Sequence, residues 1–371
     1  MIIRLLLVFF IIILSVSSAF PAEPEKLLLR FATFGDSRHD PSAEGITAQD
    51  RIWLQNTKVL SRMTREIEAH KPQLLFFNGD MINGYTADRT VLDRQYAYWR
   101  GMVAHLFERG IYVVPVPGNH ETQVRSKDAS GKTLKLATTA NEDAWRANMG
   151  DLIIDRIRWK EIVGSSVESW SEMNYPPIGG RDNIQSNQQQ LSFSFDLRGM
   201  HFVVINTDAA GNDGRAPVAW LEGDLKAAAA RGVKQVFVFG HRPAYTYMFT
   251  PKAEIVGLDL FPENRKAFWG LIERYRATYF CGHEHIYNLM QPEVSSGGKS
   301  WQVLVGSGGS PFDAKKGETG NPADRVYAWG EVAIYSSGRV ILDVYGFDEF
   351  FAATKLLKNL EIAPATSSPS Q

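Results

Sequence analysis

Five apolar runs in this chain each stop at a glycine followed by Asp, Asn or His, and this pattern limits the fold more than any other feature. Leu27 to Phe34 stops at Gly35-Asp36, and Leu74 to Phe77 at Gly79-Asp80. Ile111 to Val116 stops at Gly118-Asn119-His120-Glu121. Gln235 to Phe239 stops at Gly240-His241, and Thr278 to Cys281 at Gly282-His283-Glu284-His285. These runs are rich in β-branched and aromatic residues and read as buried strands. Between them, Ala48 to His70, Thr90 to Arg109, Ala216 to Arg231 and Asn264 to Arg276 carry helical patterning. Strands alternating with helices predict parallel pairing through right-handed crossovers. The polar groups then gather at the carboxyl ends of the strands, where open α/β sheets place their chemistry.

The remaining segments follow other patterns. Leu191 to Asp196 and Met200 to Asn206 flank Leu197-Arg198-Gly199 and predict a β-hairpin. Trp301 to Val305, Val326 to Tyr335 and Val340 to Tyr345 read as strands of an antiparallel part. Residues 122–190 break the alternation, with short helical pieces near Ala144 to Met149 and Leu152 to Val163. Such an insert is too long for a simple loop, and either caps the strand ends or makes a surface excursion. Its Trp145, Trp159, Trp170 and Tyr175 serve a small core or stack on a ligand. With no repeat and no linker, residues 23–362 form one domain.

The ends read differently. Arg4, the apolar run Leu5 to Leu14 and the small residues up to Ala19 have the form of a secretory signal peptide over residues 1–22, which predicts a periplasmic or secreted protein. That run is short for a membrane span, and no other span is expected. Residues 363–371 are rich in Pro, Ser and Thr and read as a disordered tail. Cys281 is the one cysteine, so the chain has no internal disulfide, and its apolar surroundings predict a small buried hydrophobe. A formal net charge of -1 gives no nucleic-acid signature.

Four of the eight histidines sit at the glycine-marked ends. Carboxylate, amide oxygen and imidazole together suit borderline first-row metals such as zinc, manganese or iron. With no cluster of cysteines, a thiolate-rich structural zinc site is not expected.

The ordered series Gly35-Asp36-Ser37-Arg38, Gly79-Asp80, Gly118-Asn119-His120-Glu121, Gly240-His241-Arg242-Pro243 and Gly282-His283-Glu284-His285 resembles the calcineurin-like metallophosphoesterases, over about residues 28 to 346. The resemblance implies a four-layer α/β/β/α sandwich with two divalent or trivalent ions (Mn, Fe or Zn) at the strand ends. Asp80 would bridge the ions. Asn119, His241 and His283 would complete one, and Asp36 and His285 would serve the other. The activity implied is hydrolysis of a phosphate mono- or diester of a small substrate by a metal-bound hydroxide, with His120 assisting the leaving group as general acid or transition-state stabiliser.

One position departs from the family. A histidine usually stands two residues after the first aspartate, and here that residue is Arg38. A guanidinium does not ligate metal. Three readings follow: Arg38 clamps substrate phosphate together with Asn119 and His120, the first ion binds weakly or is lost, or the protein is a degenerate binder of metal or phosphate ligands. Tyrosine-bearing relatives resembling purple acid phosphatases have Tyr three residues after the second aspartate, where this chain has Asn83, with Tyr85 two positions on. Gly306-Ser307-Gly308-Gly309 lacks a following helix and reads as a close-approach loop. Glu121 either orients His120 or serves the surface, and Glu284 faces solvent or a neighbouring loop.

Overall fold

The computed structural model describes residues 25–40, 47–247, 254–313 and 325–363. The expected signal peptide and residues 364–371 of the expected tail lie outside them. Ala363 itself closes a strand.

The chain begins with β1 (Leu27–Phe34), α1 (Ala48–Trp53), α2 (Thr57–His70), β2 (Leu74–Phe77), α3 (Arg89–Glu108) and β3 (Tyr112–Pro115). A one-turn helix α4 (Asn119–Thr122) leads into the hairpin β4 (Gln123–Lys127) and β5 (Thr133–Ala137), then α5 (Thr139–Ile154), α6 (Arg156–Val163) and β6 (Ser169–Trp170). The second half carries β7 (Phe193–Leu197), β8 (Met200–Val204), α7 (Val218–Ala230), β9 (Gln235–Phe239), α8 (Pro262–Arg274) and β10 (Thr278–Cys281). It closes with β11 (Tyr287–Met290), β12 (Gln302–Val305), β13 (Tyr327–Tyr335), β14 (Val340–Phe347) and β15 (Lys355–Ala363).

Two mixed sheets result. The six-stranded sheet runs β15-β14-β13-β1-β2-β3 and the seven-stranded sheet β11-β12-β10-β9-β8-β7-β6. The pairs β1–β2 and β2–β3 are parallel, as are β8–β9, β9–β10 and β10–β12. The sheets face each other across an apolar core in which Phe76 of β2 stacks on Phe239 of β9 with centroids 3.8 Å apart. Phe31 of β1 meets Phe202, Phe237 and Phe280 edge-on in the same layer. Each such ring contributes about 1.5–3 kcal/mol by burial. A second cluster joins the first sheet to α2, α3 and α5, and a third joins the second sheet to α7 and α8. The order of layers is therefore helix, sheet, sheet, helix.

Two expectations need correction. Ala48 to His70 is not one helix: Leu54 adopts a left-handed φ of 57°, and Asn56 caps a new helix by accepting the Val59 N–H. The break buries Gln55 beneath the strand-end loops, where it bonds Ser37 and the carbonyl of Met81. Ile52, on the expected apolar face, is consequently exposed. Residues 122–190 contribute to the core, with Trp145 buried beside α3 and Trp159 and Trp170 packed between the sheets' ends. Its β4–β5 hairpin alone borders the cleft described next.

Candidate metal centre and cleft

The carboxyl ends of β1, β2, β3, β9 and β10 converge on a cleft of about 830 Å³. Asp36, Asp80 and His283 all sit at positive φ (63°, 52° and 74°), a conformation that costs about 1–2 kcal/mol per residue. Each follows a glycine, and space explains the glycines. A Cβ at Gly118 would strike Asp80 Oδ1 and Glu121 Oε2, and one at Gly282 would strike Asp36 Oδ2. At Gly118 and Gly282 the pattern that opened the sequence reading is thus room for carboxylates beside a backbone, whereas Gly79 makes room for the His241 ring and Gly240 for the Tyr279 hydroxyl.

Asp80, Asn119, His241 and His283 point ligand-type atoms at one another. His241 Nε2 lies 3.1 Å from Asp80 Oδ1, 2.9 Å from Asn119 Oδ1 and 3.1 Å from His283 Nδ1. Asn119 Oδ1 is 2.8 Å from His283 Nδ1. The other nitrogen of His241 meets the Asn78 carbonyl at 2.8 Å, which assigns a hydrogen to Nδ1 and makes Nε2 the nitrogen that has a lone pair when the ring is neutral. Lone pairs of Asp80, Asn119 and His241 therefore face one point. That demand for positive charge appears in the ring itself: burial opposes its charge, yet Asp80 outweighs burial and pushes the His241 pKa up to about 9. A cation bound by borderline donors answers the same demand. The Asn119 amide is fixed by its Nδ2, which donates to Tyr85 Oη.

Asp36, Asp80 and His285 form a second group whose ligand atoms lie within 4.8 Å of one another. His285 meets the Pro311 carbonyl through Nδ1 at 2.6 Å, leaving Nε2 as its lone pair. Asp36 is fully buried and accepts the His283 N–H at 3.1 and 3.2 Å. Burial drives its carboxyl well above the usual range. Burial acts the same way on Asp80, but His120, His241 and Arg38 overcome it and hold that carboxyl well below.

His120 stands at the inner wall. Its Nδ1 is 2.5 Å from the Asn83 carbonyl and its Nε2 3.6 Å from Asp80 Oδ2. Burial and the Arg38 charge hold its pKa well below the ordinary imidazole value. Arg38 meets the same oxygen, with Nε 3.3 Å from Asp80 Oδ2 and Nη2 3.3 Å from His285 Nε2. His39 turns away and accepts the Asp40 N–H.

The sequence of residues 30–287 matches the family described as calcineurin-like phosphoesterase. The chain belongs to that family. The fold is similar to that of purple acid phosphatase PPD1 from yellow lupin (Lupinus luteus) seeds, with a TM-score of 0.57 at 12% identity, covering 92% of this chain and 57% of that one. The chain thus spans a little over half the length of that protein. A dimetal phosphatase from Danio rerio aligns with a TM-score of 0.46 at 13% identity, over 91% of this chain and 99% of that one. No curated protein matches the chain.

In this calcineurin-like phosphoesterase six of the eight residues singled out in the sequence, Arg38, Asp80, Asn119, His120, His283 and His285, line the one cleft, and Asp36 and His241 lie buried against them. Three further residues join them. The Tyr85 ring lies 3.8 Å from that of His120, and Asn83, at the position where tyrosine-bearing relatives have Tyr, turns its backbone carbonyl to His120 Nδ1. Glu121 neither orients His120 nor reaches the surface. It is buried and accepts the N–H groups of Asp80, Ile82 and Gly118 at 3.0, 3.1 and 2.7 Å. Arg242 holds both oxygens of Asp208 and places Nη1 3.2 Å from His283 Nε2. Glu284 faces a neighbouring loop, accepting the Tyr247 N–H at 2.9 Å. Gly308 donates to the Gly35 carbonyl at 2.9 Å, so the Gly306 loop is a close approach to the β1 end. Among the described residues no helix is long and apolar enough to cross a membrane.

Proposed function

We propose that this chain is an exported metal-dependent phosphoesterase that hydrolyses a phosphate mono- or diester of a small substrate. The reading rests on one observation above others: lone pairs of Asp80, Asn119 and His241 converge on one point beside His283, within reach of His120. Asp80, Asn119, His241 and His283 would hold one ion, and Asp36, Asp80 and His285 are the donors of the other position that the family resemblance implies. The nitrogen and oxygen donors suit manganese, iron or zinc. When bound, such ions activate water near neutral pH and hold a phosphoryl oxygen.

The chain's own residues supply the rest. His120 keeps its Nδ1 on the Asn83 carbonyl, so Nε2 is the nitrogen that serves substrate. The ring is neutral because it is buried and faces Arg38. A phosphate anion entering the cleft offsets the Arg38 charge and allows Nε2 to carry a proton, which it delivers to the departing oxygen. Such a proton transfer contributes about 10²–10⁴ in rate. Arg38 and the Asn119 amide flank the same space and orient the phosphoryl oxygens. Residues 1–22 act as the signal peptide, and residues 23–362 as the catalytic domain.

A second reading is a binder of phosphate ligands without turnover, which the engagement of Arg38 with Asp80 and His285 favours. Paired aromatic phosphate mono- and diesters, assayed with manganese, zinc and ferrous iron, separate the two. Hydrolysis of either ester with any of these metals supports the enzyme; no turnover with all of them favours the binder.

A further inference from the structure

The donors of the second group already face a cation that belongs to the chain. Arg38 is fixed on the β1 loop: its N–H donates to the Asp80 carbonyl at 3.3 Å and its carbonyl accepts from Ser310 Oγ at 2.9 Å. From there the side chain, 14% exposed, reaches Asp80 Oδ2 and His285 Nε2, each at 3.3 Å. His285 has its hydrogen on Nδ1, toward Pro311, so the atom met by Arg38 is the lone pair an ion would need. Asp80 Oδ2 is likewise the oxygen left over once Oδ1 has turned to His241. The remaining donor, Asp36, is tied to the His283 backbone.

A guanidinium stays charged, has no lone pair and holds its donors in a rigid fork. Arg38 and a metal ion therefore compete for the same two atoms. At the other ion position no Arg or Lys among the described residues bonds Asp80 Oδ1, Asn119 Oδ1 or His241 Nε2, and Arg242 meets His283 at Nε2, not at the Nδ1 that faces those atoms.

We propose that Arg38 takes the place of the first ion, so that the chain holds one metal ion, at Asp80, Asn119, His241 and His283, beside a built-in guanidinium at Asp80 and His285. This deepens the phosphoesterase reading and rests on it. Arg38 Nη1 makes no hydrogen bond to a described residue, and Arg38 lines the cleft. That N–H group holds the phosphoryl oxygen which a second ion would otherwise take.

The test is metal stoichiometry. The full chain is stripped with chelator, loaded with excess manganese(II), freed of unbound ion and measured by elemental analysis and electron paramagnetic resonance. Wild type takes up one ion per chain, with the spectrum of an isolated ion. Arg38→His takes up two, with the spectrum of an exchange-coupled pair. His285→Ala, which removes a first-position donor, leaves the count at one and decides the matter if Arg38→His does not fold. Two ions in wild type, a count lowered by His285→Ala, or a folded Arg38→His that stays at one ion each overturn the proposal. In those cases hydrolysis of aryl phosphates by the loaded wild type keeps the phosphoesterase reading intact. No bound ion and no hydrolysis in wild type sink that reading and this proposal with it.

Discussion

Glu121 Oε2 accepts the backbone N–H of Asp80 at 3.0 Å, so the carboxylate beside His120 holds in place the strand end that carries a different carboxylate. The same side chain takes the N–H of Gly118 at 2.7 Å and of Ile82 at 3.1 Å. One buried group thus locks the β2 end to the β3 end. Glu121→Ala leaves three buried donors without an acceptor, each costing about 1–3 kcal/mol. The expected outcome is a loss of several kcal/mol in urea unfolding together with weaker metal uptake. Unchanged unfolding would show that the lock carries no stability.

Tyr85 carries a second prediction. Its hydroxyl accepts from Asn119 Nδ2, the one partner of that nitrogen among the described residues, and so helps to turn Oδ1 toward His241 and His283. Tyr85→Phe keeps the ring against His120 and removes that acceptor. Loss of such an orienting partner typically weakens metal affinity about 10–100-fold. Chelator-competition titration reads this directly, and unaltered affinity would remove Tyr85 from the support of the ion.

His120→Asn lowers turnover by about 10²–10⁴ if the imidazole assists the leaving group. A discriminating comparison is a pair of aryl esters of differing leaving-group acidity. The variant loses more on the poorer leaving group, which needs the proton more. Equal losses on both would mean that His120 acts by binding phosphate alone.

The site was legible in the sequence because its ligands sit where strands stop, and the stop is marked by glycine. Space explains that mark: Gly118 and Gly282 are small because Asp80 and Asp36 crowd their Cα atoms. The roles of Tyr85, Glu121 and Arg242 were not legible because each acts through contacts made only after folding: a ring against His120, three backbone N–H groups, the far nitrogen of His283. The helix break at Leu54 had a signal in Asn56, a good N-cap before Thr57, but the apolar spacing across it read as continuous. β15 went unread because Lys355, Lys358 and Glu361 along it are exposed. Charges of this kind are how an edge strand avoids further pairing.

Away from the cleft, His201 presents Nδ1 to Asp196 at 2.6 Å and Nε2 to Asp224 at 2.8 Å, fully buried. Two acceptors on one ring require both nitrogens to carry hydrogen. Burial opposes that charge, but both carboxylates outweigh it and raise the His201 pKa above its ordinary 6.5. Asp196 and Asp224 are lowered below 3.8, their bonds to His201 and other neighbours overcoming burial. The sign follows. The His201 contribution is full below pH 6.5 and fades as pH rises through its folded value. The carboxylate contributions are full above pH 3.8 and fade as pH falls through theirs. His201→Phe removes the cation between the two carboxylates but leaves Asp196 on Arg231 and Asp224 on Ser194 and Asn174, so the loss stays below the roughly 3–5 kcal/mol of a fully unpaired buried charge. Urea unfolding across pH should show the gap between wild type and variant widest from about pH 4 to 6.5, with narrowing on both sides. A gap independent of pH would mean that the ring contributes packing and no charge.

The β4–β5 hairpin gives the last prediction. Arg125 and Lys135 reach over the Tyr85 ring, 4.9 and 4.5 Å from its centroid, and border the cleft. Neither has a carboxylate partner among the described residues. Both are exposed, so each offers an anionic substrate only about 0.2–1 kcal/mol. Together, Arg125→Ala and Lys135→Ala should raise KM a few-fold and leave kcat nearly unchanged, since neither residue reaches the metal ligands. The effect is one of charge at the surface and must shrink as salt shortens the Debye length from about 10 Å at 0.1 M. Kinetics of the double variant at low and high ionic strength check this. A fall in kcat instead, insensitive to salt, would assign the hairpin to holding Tyr85 against His120 rather than to drawing substrate in.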